Sequence, residues 1–431
     1  MTLPIYAGER QVAVIESDRE GPQIRYNETW QRAPESFPIS LSMPLKEFEH
    51  GPDVVVPWLM NLLPEGDPLR AMTRALGVAR EDVLALIAAT GRDLAGALSI
   101  GVPLTADKPG YRPVTTSRDL ERIIAELPAK PFLVGEDGIS MSLAGVQEKL
   151  PVAVIDGSIA IPVNGASSSH ILKPDSPRLA GSVQNEALCM VLARRCRLNV
   201  ASVMTGLADS RSYLLVKRYD RIGEGLAIRR LHQEDFCQAL GRPPSAKYEH
   251  NQSGMRGPSL AEMFDVIRTH MTARDTNRLL DAIIFNIAAG NVDSHAKNYS
   301  ILLLGQRAEL APLYDLMSGL DWAQITQNHA QDIGGQRRGR HIYGGHWRRM
   351  AEDCGLSRTG VLRRLDEVLT RLLAELPLAL EEVAAMPAGP GPLLGQFGTS
   401  IGERARLVQA NAHREGDDTE PVTSKASVEQ V

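Results

Sequence analysis

Apolar and polar residues alternate along Gln11–Glu16, the two-residue period of a half-buried strand, and Gly21-Pro22 ends the run. Residues 1–30 therefore read as short strands joined by turns. Residues 34–57 are rich in proline and serine and are expected to wrap as a loop. The period then lengthens. Arg70–Leu76 and Glu81–Ala89 predict two short helices, the second with acids in its first turn, where the helix dipole favours negative charge. Gly91-Arg-Asp-Leu-Ala-Gly-Ala-Leu-Ser-Ile100 predicts a glycine turn entering a strand. The Pro-, Gly- and Lys-rich stretch 103–116 predicts a linker.

Residues 139–173 read as β structure. Leu150–Ile155 is a strand, Asp156-Gly157 a turn, Ile159–Pro162 the return, and Ser169–Lys173 a further strand closed by Pro174. Asn185–Arg195 predicts a helix with Leu188, Val191 and Leu192 on its apolar face. Tyr213–Lys217 and Leu226–Leu231 predict a hairpin across Gly223-Glu-Gly225. After Gln233 the helical period dominates. Ser259–Met271 and Thr276–Ala289 are amphipathic, with Gly290 where a C-terminal cap belongs, and 359–385 predicts two more helices. Glycine and proline crowd 387–398, and 409–431 is polar and expected to be disordered. A β-rich half followed by a helical half predicts an α+β fold with two lobes.

A chain of 431 residues is long enough for two or three sub-domains, and 43% apolar with 23% charged residues is ordinary for a globular protein. The net charge of −5 gives no global reason to expect nucleic-acid binding. No apolar run approaches the ~18 residues of a membrane span, and the N-terminus shows no secretory pattern. Cys189, Cys196, Cys237 and Cys354 form no Cys-x-x-Cys pair. They read as buried thiols in a reducing cytoplasm.

Candidate chemistry concentrates in Asp293-Ser-His-Ala-Lys-Asn298, which follows an apolar helix. A hairpin is expected next: Tyr299–Leu304, a turn at Gly305-Gln306, and a return over Glu309–Leu316. It would carry Asn298 and Asp315 at its open end, beside the loop that offers Asp293. An acid that orients a hydroxyl, with an amide and a second acid as hard oxygen ligands for magnesium, is a kinase-type set. The same residues also serve as loop caps, so the spacing alone leaves both readings open. Lys173 ends an apolar strand and Glu186 begins the next helix. Together they suit a phosphate-neutralising pair, or separately a solvated strand end and a first-turn acid. Ser140–Lys149 is a small-residue loop lacking Gly-x-Gly-x-x-Gly and the Walker ending, although its N–H groups can hold phosphate. Gly334–Arg349 is locally basic and suits a solvated loop or a phosphate contact.

In order along the chain, several strings resemble the HipA family of bacterial toxin kinases. They are Leu45–Pro64 with Asn61-Leu-Leu-Pro; Gly91-Arg-Asp-Leu-Ala-Gly-Ala-Leu; Ser142-Leu-Ala-Gly-Val-Gln-Glu-Lys149; His170-Ile-Leu-Lys-Pro; Asn185-Glu; Lys217-Arg-Tyr-Asp-Arg; Leu231-His-Gln-Glu-Asp-Phe; Asn291–Asn298; and Pro312-Leu-Tyr-Asp315. The resemblance covers roughly residues 1–385. It implies a bilobal protein-kinase-like fold with an extra N-terminal sub-domain over 1–107, an ATP-binding β-rich lobe over 108–235, a helical catalytic lobe over 236–387 and a C-terminal extension over 388–431.

The resemblance further implies a serine/threonine protein kinase that uses ATP and Mg2+. Asp293 is then the catalytic acid/base, and Asn298 and Asp315 bind magnesium. Lys149, Lys173 and the loop residues Ala144, Gly145, Val146 and Gln147 meet ATP phosphates. Gln233, Glu234 and Phe236 meet adenine, and His295 and Lys297 lie by the nucleotide. Ser142 is the expected autophosphorylation site, with Ser140 the alternative; a phosphoserine there brings negative charge into a loop meant for phosphate. The implied partners are a HipB-like helix-turn-helix antitoxin, operator DNA mainly through that antitoxin, a possible dimer in the complex, and a protein substrate such as an aminoacyl-tRNA synthetase. A small-molecule or lipid kinase, or an idle co-repressor, are the rival readings.

Overall fold

The computed structural model describes residues 1–104 and 107–414. The chain forms two compact units. The first holds residues 1–174, 206–247 and 300–311; the second holds 175–205, 248–299 and the residues from 312 onward.

The first unit opens with a five-stranded antiparallel sheet in the order Glu49–His50, Pro22–Tyr26, Arg10–Ser17, Thr2–Ala7, Leu98–Ile100. Register places Ile5 opposite Ala13 and Ile15 opposite Ile24, so one face is apolar. That face packs with Trp30, Trp58, Leu59, Leu86 and Ile87 in a single core. The stretch 34–57, expected as loop, contains the start of a helix, Pro52–Met60. Pro52 sits in its first turn, where a missing N–H is no loss, so a proline of the expected loop starts the helix.

A second sheet has six strands: Val203–Ala208, Arg211–Lys217, His170–Pro174, Leu150–Ile155, Ser158–Val163 and Gly110–Pro113. Arg211–Lys217 pairs with His170–Pro174 rather than with 226–231, because its Leu214 and Val216 are buried and need cover on both sides. The hairpin across Gly223–Gly225 instead joins Arg221–Ile222 to Arg229–Arg230, and Leu226 is exposed. The expected linker 103–116 supplies the edge strand Gly110–Pro113, a place where proline is tolerated. A third sheet joins His232–Asp235, Ser300–Leu304 and Arg307–Leu310. The return strand stops at Leu310, shorter than expected, because Pro312 has no N–H to give to a ladder.

Buried charge ties these pieces together. The Asp93 carboxylate accepts from Arg221 at 3.0 Å and from the Ser168 N–H at 3.1 Å, and pairs with Arg230 at 3.2 Å and Arg218 at 3.7 Å. Asp220 takes a two-pronged contact from Arg218, Nε at 3.0 Å and Nη2 at 2.8 Å, and also accepts from the Gly96 N–H at 2.8 Å. Burial pushes the Asp93 carboxyl up, but Arg230, Arg218 and Arg221 outweigh it and hold it down at about 2. The same opposition lowers Asp220 and raises Arg218. The strings Gly91-Arg-Asp and Lys217-Arg-Tyr-Asp-Arg are thus two sides of one ionic network.

The second unit is mainly helical. Arg358–Ala384 is one 27-residue helix with Pro377 inside it, where two helices were expected. It packs against Ser182–Arg195, Ala273–Ala289 and Leu394–Ala412, burying Leu365, Leu369, Leu372, Leu376 and Val383. The apolar stripe continues past Pro377, so burial holds the helix through a residue that removes one backbone bond. Leu394–Ala412 is a helix unforeseen in the sequence. Its Phe397, Ile401, Ala405 and Val408 recur at helical spacing inside a glycine-rich stretch, and it extends into the expected disordered tail as far as Ala412. The rest of that tail, from 415, lies outside the described residues. Gly334–Arg349 is not a loop either: it holds part of a short hairpin and the start of the helix Gly344–Asp353.

Removing one anion from the buried network leaves its cations uncompensated. Asp93→Asn is therefore expected to lower unfolding stability by about 3 kcal/mol, whereas Glu28→Gln, in an exposed pair with Arg32, should change it by under about 0.5 kcal/mol. Denaturant unfolding of both variants against the wild type checks this.

Candidate active site

In the second unit, the helix Ala273–Ala289 delivers the candidate loop. Gly290 caps it in the left-handed region, with φ of 70°. A Cβ there would lie 2.5 Å from the Leu320 side chain, so only glycine lets the chain turn at this point. The Asn291 N–H donates back to the Asn286 carbonyl at 2.8 Å. The Asn291 side chain donates to Asn286 at 3.0 Å, and Asn286 donates to the Tyr299 hydroxyl at 2.8 Å. Both ends of the loop are thereby fastened to the same helix residue.

The Asp293 carbonyl accepts the His295 N–H at 2.7 Å and the Asn298 side-chain N–H at 2.8 Å. That bond uses one of the two N–H donors of the Asn298 amide and sets the side chain against the loop backbone. Lys297 is held by its carbonyl, which accepts from the Tyr314 hydroxyl at 2.6 Å. Leu313 exchanges two 2.8 Å backbone bonds with Asn199 and Ala201, fixing the approach to Asp315. Asp315 itself has φ of 58°, a conformation uncommon for a residue with a Cβ. The structure therefore groups Asp293, His295, Lys297 and Asn298 in one short loop and sets Asp315 in a strained backbone turn of the same unit.

Three supports went unseen in the sequence. Tyr248 donates its hydroxyl to the Asp293 carboxylate. His329 Nδ1 donates to the Asn291 carbonyl at 3.2 Å; burial, and then Arg404, lower its pKa to about 3, so the ring is neutral. Asn286 is the third. Each lies far along the chain or inside an apolar helix, where spacing carries no signal.

In the first unit, the loop Ser140–Lys149 is fastened down. The Ser142 N–H donates to the Asp93 carbonyl at 3.2 Å, the Asp93 N–H donates to Ser140 at 3.1 Å, and the Ser142 hydroxyl donates to Leu62 at 2.9 Å. Ser142 is fully buried, and the Ser140 hydroxyl donates to Ala89 at 3.0 Å. Gly145 has φ of 107°, and its carbonyl accepts the Glu65 N–H at 3.0 Å. Lys149 Nζ donates to the Ala144 carbonyl at 2.7 Å and lies 2.7 Å from where a Gly145 Cβ would be. Val146 and Gln147 are half-buried. Lys173 is buried, opposite Leu214 in the ladder.

Gln233 and Glu234 lie on the outer strand of the three-stranded sheet, and Phe236 follows, buried, at the start of a helix capped by Asp235. The Glu234 carboxyl meets the Ser40 hydroxyl and the Leu41 N–H, the latter at 2.7 Å. Burial raises its pKa to about 8, with Ser40 and Leu41 opposing.

Comparison with known proteins fits both halves. The HipA N-terminal domain matches residues 3–101, and the HipA-like C-terminal domain matches residues 141–376. The chain belongs to the HipA family. The serine/threonine-protein kinase toxin HipA of Shewanella oneidensis is 31% identical over 404 residues, covering 90% of each chain. Y4mE of Sinorhizobium fredii is 34% identical over 417 residues, covering 94% of this chain and 98% of that one. The solved complex of Shewanella oneidensis HipA with HipB and operator DNA aligns with a TM-score of 0.81 at 28% identity, over 95% of this chain and 96% of its counterpart. The α+β kinase-like fold expected from the HipA strings is the fold observed. Among the described residues, no helix is long and apolar enough to cross a membrane.

Glu234 makes stability depend on pH. Its pKa rises from 4.5 unfolded to about 8 folded. Between those values the folded chain keeps a proton the unfolded chain has released, so this contribution is full below 4.5 and is lost as pH climbs through about 8. Glu234→Gln is expected to flatten the fall in stability between pH 5.5 and 8.5, a span chosen around those values. Urea unfolding at the two ends reads it out; parallel slopes for wild type and variant would contradict the assignment.

Proposed function

We propose that this HipA-family chain is an ATP- and magnesium-dependent serine/threonine protein kinase, acting as the toxin of a HipA/HipB-like toxin–antitoxin pair. The observation that carries the reading is the Asp293–Asn298 loop. Its backbone carbonyl holds the Asn298 amide nitrogen, while the Asp293 carboxylate is separately held by Tyr248. A base and an oxygen ligand are thus fixed in one six-residue segment.

In this reading Asp293 receives the proton of the acceptor hydroxyl as it attacks the γ-phosphorus of ATP, and ADP leaves in line. The donor set suits magnesium: an amide oxygen from Asn298 and a carboxylate from Asp315 are the hard ligands it prefers. When bound, the ion neutralises charge on the phosphate oxygens. Lys149, Lys173 and the N–H groups of Ala144–Gln147 hold phosphate. Gln233, Glu234 and Phe236 meet adenine chiefly through their backbone, since the Glu234 carboxyl is already committed to Ser40 and Leu41. His295 and Lys297 flank the nucleotide.

Ser142 accepts phosphate from the enzyme itself, with Ser140 as the alternative. Its hydroxyl is buried against Leu62, so the loop must first release its bonds to Asp93 and Leu62. Phosphate then opposes redocking, because a dianion cannot re-enter that buried position without a counter-charge. A HipB-like helix-turn-helix antitoxin is the proposed partner, by likeness to the Shewanella oneidensis complex with HipB and operator DNA. Operator DNA is met mainly through that antitoxin, in an assembly that can be dimeric. The proposed substrate is a cytoplasmic protein such as an aminoacyl-tRNA synthetase.

The test is transfer of label from γ-32P-ATP to proteins of a bacterial lysate. Wild type should label protein bands, and Asp293→Asn should reduce the rate roughly 1000-fold with folding intact. Equal labelling by the variant would refute the assigned base. Label appearing only in small hydroxyl compounds would refute the protein-kinase reading.

A further inference from the structure

The loop that carries Asp293 has a neighbour that belongs to none of the family strings. Tyr248 donates its hydroxyl to Asp293 Oδ1. Its ring stands edge-on to His295, with centroids 5.1 Å apart and planes at 87°. The tyrosine therefore grips the loop twice, by its hydroxyl at Asp293 and by its ring at His295.

Tyr248 is itself held rigidly by its neighbours. Its carbonyl accepts from the Asn251 side chain at 2.8 Å. The next residue, Glu249, donates its N–H to Ala330 at 3.0 Å, and its carbonyl accepts from Gly257 at 3.2 Å. The buried Glu249 carboxylate accepts the Asp332 N–H at 2.9 Å and pairs with Arg256. His250 closes the brace on Asp332 at 2.8 Å. Glu249, His250 and Asp332 bring their ligand atoms within 4.8 Å of one another, but those atoms are engaged in these bonds, so the cluster works as a brace. The strand Asn328–Ile333 that anchors Tyr248 also carries His329, which holds the Asn291 carbonyl at the other side of the loop. One strand thus fixes both the backbone before Asp293 and the tyrosine on its carboxylate.

We infer that Tyr248 is a positioning residue for Asp293: its hydroxyl fixes the plane of the carboxylate, so that the oxygen receiving the acceptor proton has a single direction. This rests on the phosphoryl-transfer reading given above. The physical need is plain. An aspartate has two side-chain torsions, and a base that swings through them spends most of its time out of line with the attacking hydroxyl. A phenol is suited to the task. It meets a carboxylate as a donor and adds no charge beside the acceptor. Its ring, packed against His295, keeps the hydroxyl from following the carboxylate as it turns.

The experiment uses the full-length chain, MgATP as nucleotide and the chain's own serines as acceptor. Incorporation of 32P is followed across ATP concentrations for wild type and Tyr248→Phe. The phenylalanine keeps the ring against His295 and removes only the hydroxyl. The expected result is a fall of about tenfold in the rate at saturating ATP, the order expected for a misplaced base. The ATP concentration for half-maximal rate should stay within about twofold, because Tyr248 serves the acceptor side. A melting temperature matched to wild type should accompany it. An unchanged rate would overturn the inference. So would an increased rate, which would mean that the tyrosine hydroxyl occupies the acceptor's place and blocks it. A fall in rate with an equal loss of ATP affinity or of melting temperature would also overturn it, reducing Tyr248 to general structure. Absence of incorporation by wild type would instead remove the phosphoryl-transfer reading, and this inference with it.

Discussion

Asp93 is the residue on which the first unit depends. Together with Asp220, its carboxylate pairs with Arg218, Arg221 and Arg230 inside the protein, and its backbone grips the Ser140–Ser142 segment on both sides. Charges this deep are tolerated only because each finds a partner, and removing any one leaves the others stranded. The network therefore specifies geometry more than it adds stability. It fixes where the N-terminal sheet, the candidate phosphate loop and the six-stranded sheet meet. Arg218 and Arg221 present several fixed donors each, which lysine cannot do, and this accounts for the string Lys217-Arg-Tyr-Asp-Arg in physical terms.

The second unit applies a different device to its candidate site. At Asp293 the backbone and amide groups do much of the holding. A helix end, a glycine that admits no Cβ, and a ladder of amide contacts through Asn286, Asn291 and Asn298 set the loop. Neutral hydrogen bonds of this kind fix the geometry of the loop without adding charge to it. His329 stays neutral for the same service, donating one N–H to the loop.

Much of this was legible in the sequence, for local reasons. The N-terminal strands, the turn at Asp156-Gly157, the helix ending at Gly290 and the cluster Asp293–Asn298 follow from period and from turn chemistry. The family strings named the partner segments that periodicity could not. What escaped was set by tertiary contact. Pro52 starts a helix and Pro377 sits within one, because burial of Trp58 and of Leu376, Ala379 and Val383 overrides the proline signal. Leu394–Ala412 hides in a glycine-rich stretch, and its apolar stripe has meaning only once the helix Arg358–Ala384 is there to receive it. Tyr213–Lys217 found its partner at His170–Pro174, because strand pairing across forty residues leaves no mark in local pattern. Tyr248 and His329 were missed at the site for the same reason. Their value lies in where the chain returns.

The account stands on phosphoryl transfer from ATP to a serine hydroxyl. Its most direct measurement is phosphopeptide mapping of the purified chain after incubation with MgATP, alongside a sample treated with EDTA. The account predicts phosphate on the 140–149 loop, at Ser142 or Ser140, in the magnesium sample alone. A chain that binds ATP under these conditions yet carries no phosphoserine, or carries equal phosphate in EDTA, would contradict it.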